Sequence, residues 1–298
     1  MHHDAEPKGA LEFADSNVSP RVVLSNLGLA QAFVPASRGV AVQVNDDVLP
    51  HTIECNGDMV SPTIFDHDAI GSGTPEDPHI ICTKEQFFDI NNGGLNKHFR
   101  LGRNIDLQSI DFGGIGDYNS PFTGTFKGSG HTITGMRRTG IINVGLFNVV
   151  SSTSSTAKIV GVRLQDAIVN GRTAVGSLIG LSLNTTVRSC SAQGSVVGTG
   201  GSNVLRLGGL IGKMEGGEIV RTHIDIDITV PVSASNIGGM VGFAEYADIR
   251  QSSTSGTINH YPSYTDWGYE EECEFGCPFS QNMGGLVGTF EEGLIEDS

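Results

Sequence analysis

The block Gly208-Gly209-Leu210-Ile211-Gly212 constrains this chain more than any other feature, because near-copies of it return along the sequence. They are Val175-Gly176-Ser177-Leu178-Ile179-Gly180, Gly238-Gly239-Met240-Val241-Gly242 and Gly284-Gly285-Leu286-Val287-Gly288, with a weaker copy at Val144-Gly145-Leu146-Phe147-Asn148. The closing residues, 148, 180, 212, 242 and 288, lie 32, 32, 30 and 46 residues apart. Periods of this size are the signature of a solenoid or propeller. Further columns keep the same phase. Seven residues after each closing glycine stand Val187, Ile219, Ile249 and Ile295; ten after, the small residues Cys190, Thr222, Ser252 and Ser298; sixteen after, Val196, Ile228 and Ile258. In the first copy, which carries four extra residues, the matching positions fall at Ile159, Val162 and Ile168. A flexible Gly-rich linker has no reason to hold β-branched residues in phase.

Each unit holds two or three short β-rich runs separated by Gly, Ser, Thr and Asn, and none has the length or period of a crossover helix. A single unit has no core. If each is one coil, equivalent residues stack about 4.8 Å apart and the apolar columns become continuous ladders inside a tube. Leu210, Ile219 and Ile228 are then predicted to point inward, between Leu178, Val187 and Val196 on one side and Met240, Ile249 and Ile258 on the other. The small column marks a narrowing, and the glycines fit bends where backbone passes close to backbone. The expected class is all-β.

These residues resemble the GLUG repeat, named for its motif and found in large bacterial surface and secreted proteins, including regions beside IgA-specific metallopeptidases. Upstream, Gly71-Ser72-Gly73-Thr74-Pro75-Glu76-Asp77-Pro78 through Asn104-Ile105-Asp106-Leu107, then Pro121-Phe122-Thr123-Gly124-Thr125-Phe126-Lys127-Gly128 and Gly130-His131-Thr132-Ile133, resembles the segment that usually leads into such repeats. The resemblance covers about residues 71–298 and implies a right-handed parallel β-helix, a β-solenoid. It brings no catalytic residues. Asn148 in place of glycine and the long step before Gly284 depart from the pattern.

The division expected is residues 1–70, a leader with a small β-rich segment, and 71–298, the solenoid. Residues 1 to about 20 are polar, while Val22-Val23-Leu24 and Val40-Ala41-Val42-Gln43-Val44 read as strands, either packed on the first coil or belonging to another domain. Thr83-Lys84-Glu85-Gln86-Phe87-Phe88-Asp89-Ile90 reads as a short helix with a capping box from Thr83 and Gln86, placed as a plug ahead of the first coil. Ile295 to Ser298 stops inside a strand with no polar cap, so the solenoid is expected to be truncated at its C-terminus.

With 18 basic and 33 acidic residues the formal charge is −15. That balance argues against a nucleic-acid partner and suits an extracellular or cell-surface protein. No stretch reaches the roughly 20 apolar residues of a membrane span. The beginning, Met1-His2-His3-Asp4, lacks a secretory signal, leaving either a trimmed signal or another export route. Cys273 and Cys277 share a loop and would close a disulfide in an oxidising compartment; Cys55 and Cys82 pair only by elimination. Cys190, in the small inward column, reads as a buried thiol rather than a nucleophile.

Two places invite chemistry. The outward positions of the best-defined strand hold Gln193 and Ser195, Asp225 and Asp227, then Ser255 and Thr257, so one coil alone supplies carboxylates. A polysaccharide lyase or hydrolase needs acid and base groups converging from neighbouring coils. Asp225 and Asp227 therefore read as a solvated face, with calcium or a sugar as the functional alternative. The second place is the insertion from about Asn259 to Asn282, rich in acidic residues and carrying Tyr261, Tyr264, Trp267, Tyr269, Phe275 and Phe279. Its aromatics either stack on a cell-surface glycan or protein, or fold back as a lid. Asp66-His67-Asp68 is too small a cluster to predict a metal site. No cofactor is expected, calcium being the one candidate. The function expected is a noncatalytic stalk or adhesive recognition scaffold; the alternative is the N-terminal part of a secreted carbohydrate-active enzyme or peptidase.

Overall fold

The computed structural model describes residues 55, 70–152, 157–199, 204–230, 234–260 and 281–298. The strand runs expected between Val22 and Val48, the Asp66-His67-Asp68 cluster and the Cys273 and Cys277 pair lie outside the described residues. Those described form a parallel β-solenoid in which every strand pairing is between coils.

Three sheets make its walls. The first begins with His79–Ile81, Phe99–Leu101, Thr125–Lys127 and Lys158–Val160, then continues through Ile179–Arg188, Ile211–Val220, Val241–Arg250 and Val287–Glu296. The second runs from Ile105–Asp106 and Thr132–Thr134 through Arg163–Gly171, Ser191–Gly198 and His223–Val230 to Ser253–Ser255. The third has five rungs: Ile142–Val144, Thr173–Val175, Val204–Gly208, Ala234–Gly238 and Gln281–Gly284.

The sequence columns are the observed ladders. Val187 lies opposite Ile219, Ile219 opposite Ile249, and Ile249 opposite Ile295. Leu210, Ile219 and Ile228 are completely buried, as are Val187, Val196, Met240 and Ile249. Ile258, on the last described rung of the second sheet, packs half-buried against that core. The small column is a hydrogen-bonded ladder: the amides of Cys190, Thr222 and Ser252 donate to the hydroxyls of Thr222, Ser252 and Ser298 at 3.3, 3.2 and 3.2 Å. A larger residue here would push the coils apart, which explains why the column stays small.

The repeated glycines serve close approach rather than unusual dihedrals. A Cβ on Gly208 would lie 2.0 Å from the Ile211 carbonyl oxygen, and one on Gly212 2.2 Å from the Val175 nitrogen. Left-handed residues, by contrast, stand in columns of their own at the bends, for example Ser189, Arg221, Gln251 and Asp297, with φ between 50° and 53°.

Two expectations need correction, and one local irregularity stands beside them. In the coil before Ser191, the inward residue is Val169, which pairs with Val196; Ile168 pairs with Ser195 and is only half-buried. The cause is a β-bulge between Leu164 and Ala167, where Asp166 has φ 53° and one extra residue flips the alternation. The weak copy at residues 144–148 is also one residue short. Val144 pairs with Val175 but Phe147 pairs with Ile179, so Gly145 alone spans what Gly176 and Ser177 span in the next coil. Finally, the helix Lys84–Phe88 forms with the expected capping box, yet it follows the first described strand of the solenoid, His79–Ile81, rather than preceding the coils. Its Phe87 is fully buried and meets the Phe126 ring at 5.8 Å. Phe122 and Phe147 continue this aromatic core at 5.2 Å, so the early coils fill with phenylalanine what later coils fill with β-branched residues.

Candidate functional site

The outer face of the second sheet carries the two carboxylates singled out in the sequence. Asp225 and Asp227 alternate with inward Ile224, Ile226 and Ile228 on the strand His223–Val230, so both project to solvent from one face. Gln193 lies opposite Asp225 and Ser195 opposite Asp227 in the preceding coil. The following coil answers with hydroxyls. Ser255 donates to Asp225 Oδ1 at 3.1 Å, while the hydroxyl and amide of Thr257 donate to Asp227 Oδ1 at 2.7 and 2.9 Å. His223 Nδ1 and Ser253 Oγ lie 2.8 Å apart, so three outward residues of one coil are bridged to three of the next.

This network sets the electrostatics. The Thr257 hydroxyl and then its amide hold the Asp227 carboxyl below the usual carboxylate range. A general acid at neutral pH needs the opposite shift, so Asp227 is suited to accepting hydrogen bonds or facing a cation rather than delivering a proton.

Where the first sheet meets the turn after it, a shallow groove of about 310 Å³ is lined by Arg188, Val220, Arg250, Glu218 and Glu296, among others. Arg250 is held there by Asp248 at 2.6 Å, Glu218 at 3.7 Å and Glu296 at 3.8 Å. The groove is thus largely occupied by its own ion pairs, exposed ones of small individual worth. Among the described residues, no three His, Cys, Asp or Glu side chains are grouped to hold a metal ion.

The aromatic loop carrying Tyr261, Tyr264, Trp267 and Tyr269 lies outside the described residues. The cysteine pairing that is described joins Cys55 to Cys82, with Cα atoms 5.6 Å apart. Cys190 is a free, buried thiol, pushed up by burial to about 12.

Sequence reasoning missed one polar centre. Arg138, 4% exposed, pairs with Asp111 and donates to the Gly145 carbonyl at 3.1 Å, the Gly113 carbonyl at 2.8 Å and Asn148 Oδ1 at 3.0 Å. Asn148 in turn donates to the Gly113 and Gly116 carbonyls at 2.7 and 3.0 Å. The asparagine that breaks the glycine pattern therefore fastens the Gly-rich loop 113–116 to the coil. Its departure from an otherwise regular column was the available signal.

A family model matches one of the repeats. The model of the GLUG motif matches residues 171–197, which span the strands Thr173–Val175 and Ile179–Arg188 and most of Ser191–Gly198. This segment matches the GLUG motif. Beyond it, the chain is 34% identical over 161 residues to halomucin of Haloquadratum walsbyi, covering 49% of this chain and 2% of that protein. It is 38% identical over 89 residues to an Evansella cellulosilytica protein provisionally described as a Gly-rich membrane protein, covering 27% of this chain and 10% of that one. The chain thus spans a small fraction of both relatives. A solved Bacteroides ovatus protein, provisionally described as an immunoglobulin A1 protease, aligns over 75% of this chain and 86% of its own, with 18% identity and a TM-score of 0.44. No described helix is long and apolar enough to cross a membrane.

Proposed function

We propose that this GLUG-bearing chain is a noncatalytic, extracellular β-solenoid that serves as a surface stalk and presents a recognition face to a glycan or protein. The observation that carries the reading is the bridged outer face of the second sheet. Asp225 and Asp227 are held by Ser255 and Thr257 of the adjoining coil, so their orientation is fixed before any partner arrives. A pre-ordered acceptor face lowers the side-chain entropy cost of binding. The scaffold supports it, since coils locked by parallel ladders keep such a face rigid. The Cys55–Cys82 disulfide fits an oxidising exterior, and the similarity to halomucin and to a protein described as membrane-associated is in keeping with a surface location.

Binding of the full chain to a panel of neutral and acidic glycans and to whole cells, with and without calcium, tests this reading. Asp225→Asn combined with Asp227→Asn is expected to weaken binding while leaving the thermal midpoint nearly unchanged. Wild-type binding by that variant removes the face from the mechanism. Reproducible turnover of a glycan or peptide by the chain replaces the scaffold reading with the enzymatic one.

A further inference from the structure

The first coil contains a device that the recognition reading does not use. Residues 70–78 form a strap across the start of the solenoid, tied by the Ile80 amide to the Ile70 carbonyl at 2.9 Å and by the His98 amide to the Gly73 carbonyl at 3.0 Å. Its own shape is set by Asp77, whose carbonyl accepts from the amides of Ser72, Gly73 and Thr74. The ring of His79 lies beneath it, and His98 adjoins it through its backbone amide. The His79 ring is enclosed between Gly73, where a Cβ would come within 2.4 Å of Nε2, and the Phe99 ring, stacked at 5.6 Å. His98, on the neighbouring rung, has its Nδ1 buried with no hydrogen-bond partner among the described residues.

We propose that the strap 70–78 is an acid-released latch, closed while the imidazoles of His79 and His98 are neutral and freed when they take up protons. The surroundings of both rings disfavour the charged form, with desolvation the leading cause in each case. Around His79, a hydrogen bond with the Gly71 backbone and the charge of Asp77 favour protonation, and Lys97 opposes it. Around His98, Glu76 favours protonation, and Lys127 and Lys97 oppose it. The net effect holds both below the ordinary value of 6.5. When the strap lifts, the rings regain water and that ordinary value. Closure is therefore fully stabilised above 6.5 and loses stability as pH falls through it toward the lower values of the closed state. The opened strap stays attached, because it lies between Cys55 and Cys82 and their disulfide closes the loop that contains it.

Native-state hydrogen exchange, corrected for intrinsic rates and compared at about pH 7.5 and about pH 5, tests the latch. The amides of Ser72, Gly73, Ile80 and His98 are expected to lose protection in acid, while those of Ser189 and Arg221 in later coils keep theirs. His79→Gln with His98→Gln is expected to remove this pH dependence. Titration of the two rings by NMR in the unaltered protein serves if the variant does not fold. Ring values at or above 6.5, strap protection that ignores pH, or equal loss of protection in all coils would each overturn the proposal.

Discussion

Replacing Gly208 by alanine tests the claim that the repeated glycines are there for backbone approach. The added Cβ would sit 2.0 Å from the Ile211 carbonyl oxygen and 2.7 Å from both the Gly242 nitrogen and the Met240 carbonyl oxygen. All three are backbone atoms, two of them in the adjoining coil, so no side chain can rotate away. The first contact falls more than 1 Å short of ordinary van der Waals separation and is relieved only by opening the corner between Gly208 and Ile211 of the same coil, while relieving the other two means separating rungs that are hydrogen-bonded to each other. Overpacking of this kind costs about 1–3 kcal/mol, and the lack of a yielding side chain places this case near the upper end. The reduced freedom of alanine in the unfolded chain offsets about 0.4–1 kcal/mol of that. The net expectation is a destabilisation of about 2 kcal/mol, read from urea unfolding at constant m-value. Gly285 is the control. It holds the place of Gly209, one residue beyond that of Gly208, in the last described coil, and a Cβ there meets nothing within 4 Å among the described residues, so in this chain Gly285→Ala is expected to be neutral or stabilising by up to about 1 kcal/mol. If the two substitutions shift the unfolding midpoint equally, the close-approach argument fails.

Two further outcomes follow from the core. Leu210→Asp places a charge in a fully buried ladder position and is expected to abolish soluble, cooperatively folded protein; an unchanged thermal midpoint would show that the column is not core. The Cys190 thiol, buried and pushed up to about 12, is expected to resist alkylation in the native state at neutral pH and to react once the chain is unfolded, as followed by peptide mass mapping. Rapid native-state labelling of that peptide would contradict its burial.

The features legible in the sequence were those repeated in phase. The Val187 and Cys190 columns could be read because each coil offers the same slot to its neighbour, so one physical requirement is written several times. The capping box at Thr83 and Gln86 was readable for a different reason: its chemistry is local. Features occurring once were not readable. The bulge at Asp166 adds one residue inside a strand and moves burial from Ile168 to Val169, with no glycine to announce it. The Arg138–Asp111–Asn148 cluster depends on contacts between segments far apart in the chain, and the sequence offered only Asn148 in the glycine column as its sign, just as the block at 144–148 showed one residue fewer than that at 175–180 without showing which corner it shortened. The candidate site was legible to the extent that alternation placed Asp225 and Asp227 outside. Their capture by Ser255 and Thr257 required the register between coils, which the repeat supplied, and the hydroxyl geometry, which it did not.

The ladder through Cys190, Thr222, Ser252 and Ser298 also determines how the coils respond to mechanical load. Its bonds, like those of the three sheets, point from coil to coil along the stack. A pull that drags one end of the stack from the other therefore strains the outermost rung first, and inner rungs carry load only after it gives way. Such a solenoid is expected to yield by peeling at modest force instead of shearing at high force. Each freed coil of 30 to 32 residues adds slack. At about 3.3–3.6 Å per residue that is on the order of 100 Å of chain. A stalk built this way absorbs a tug by lengthening in steps, and the remaining coils keep their outward faces intact.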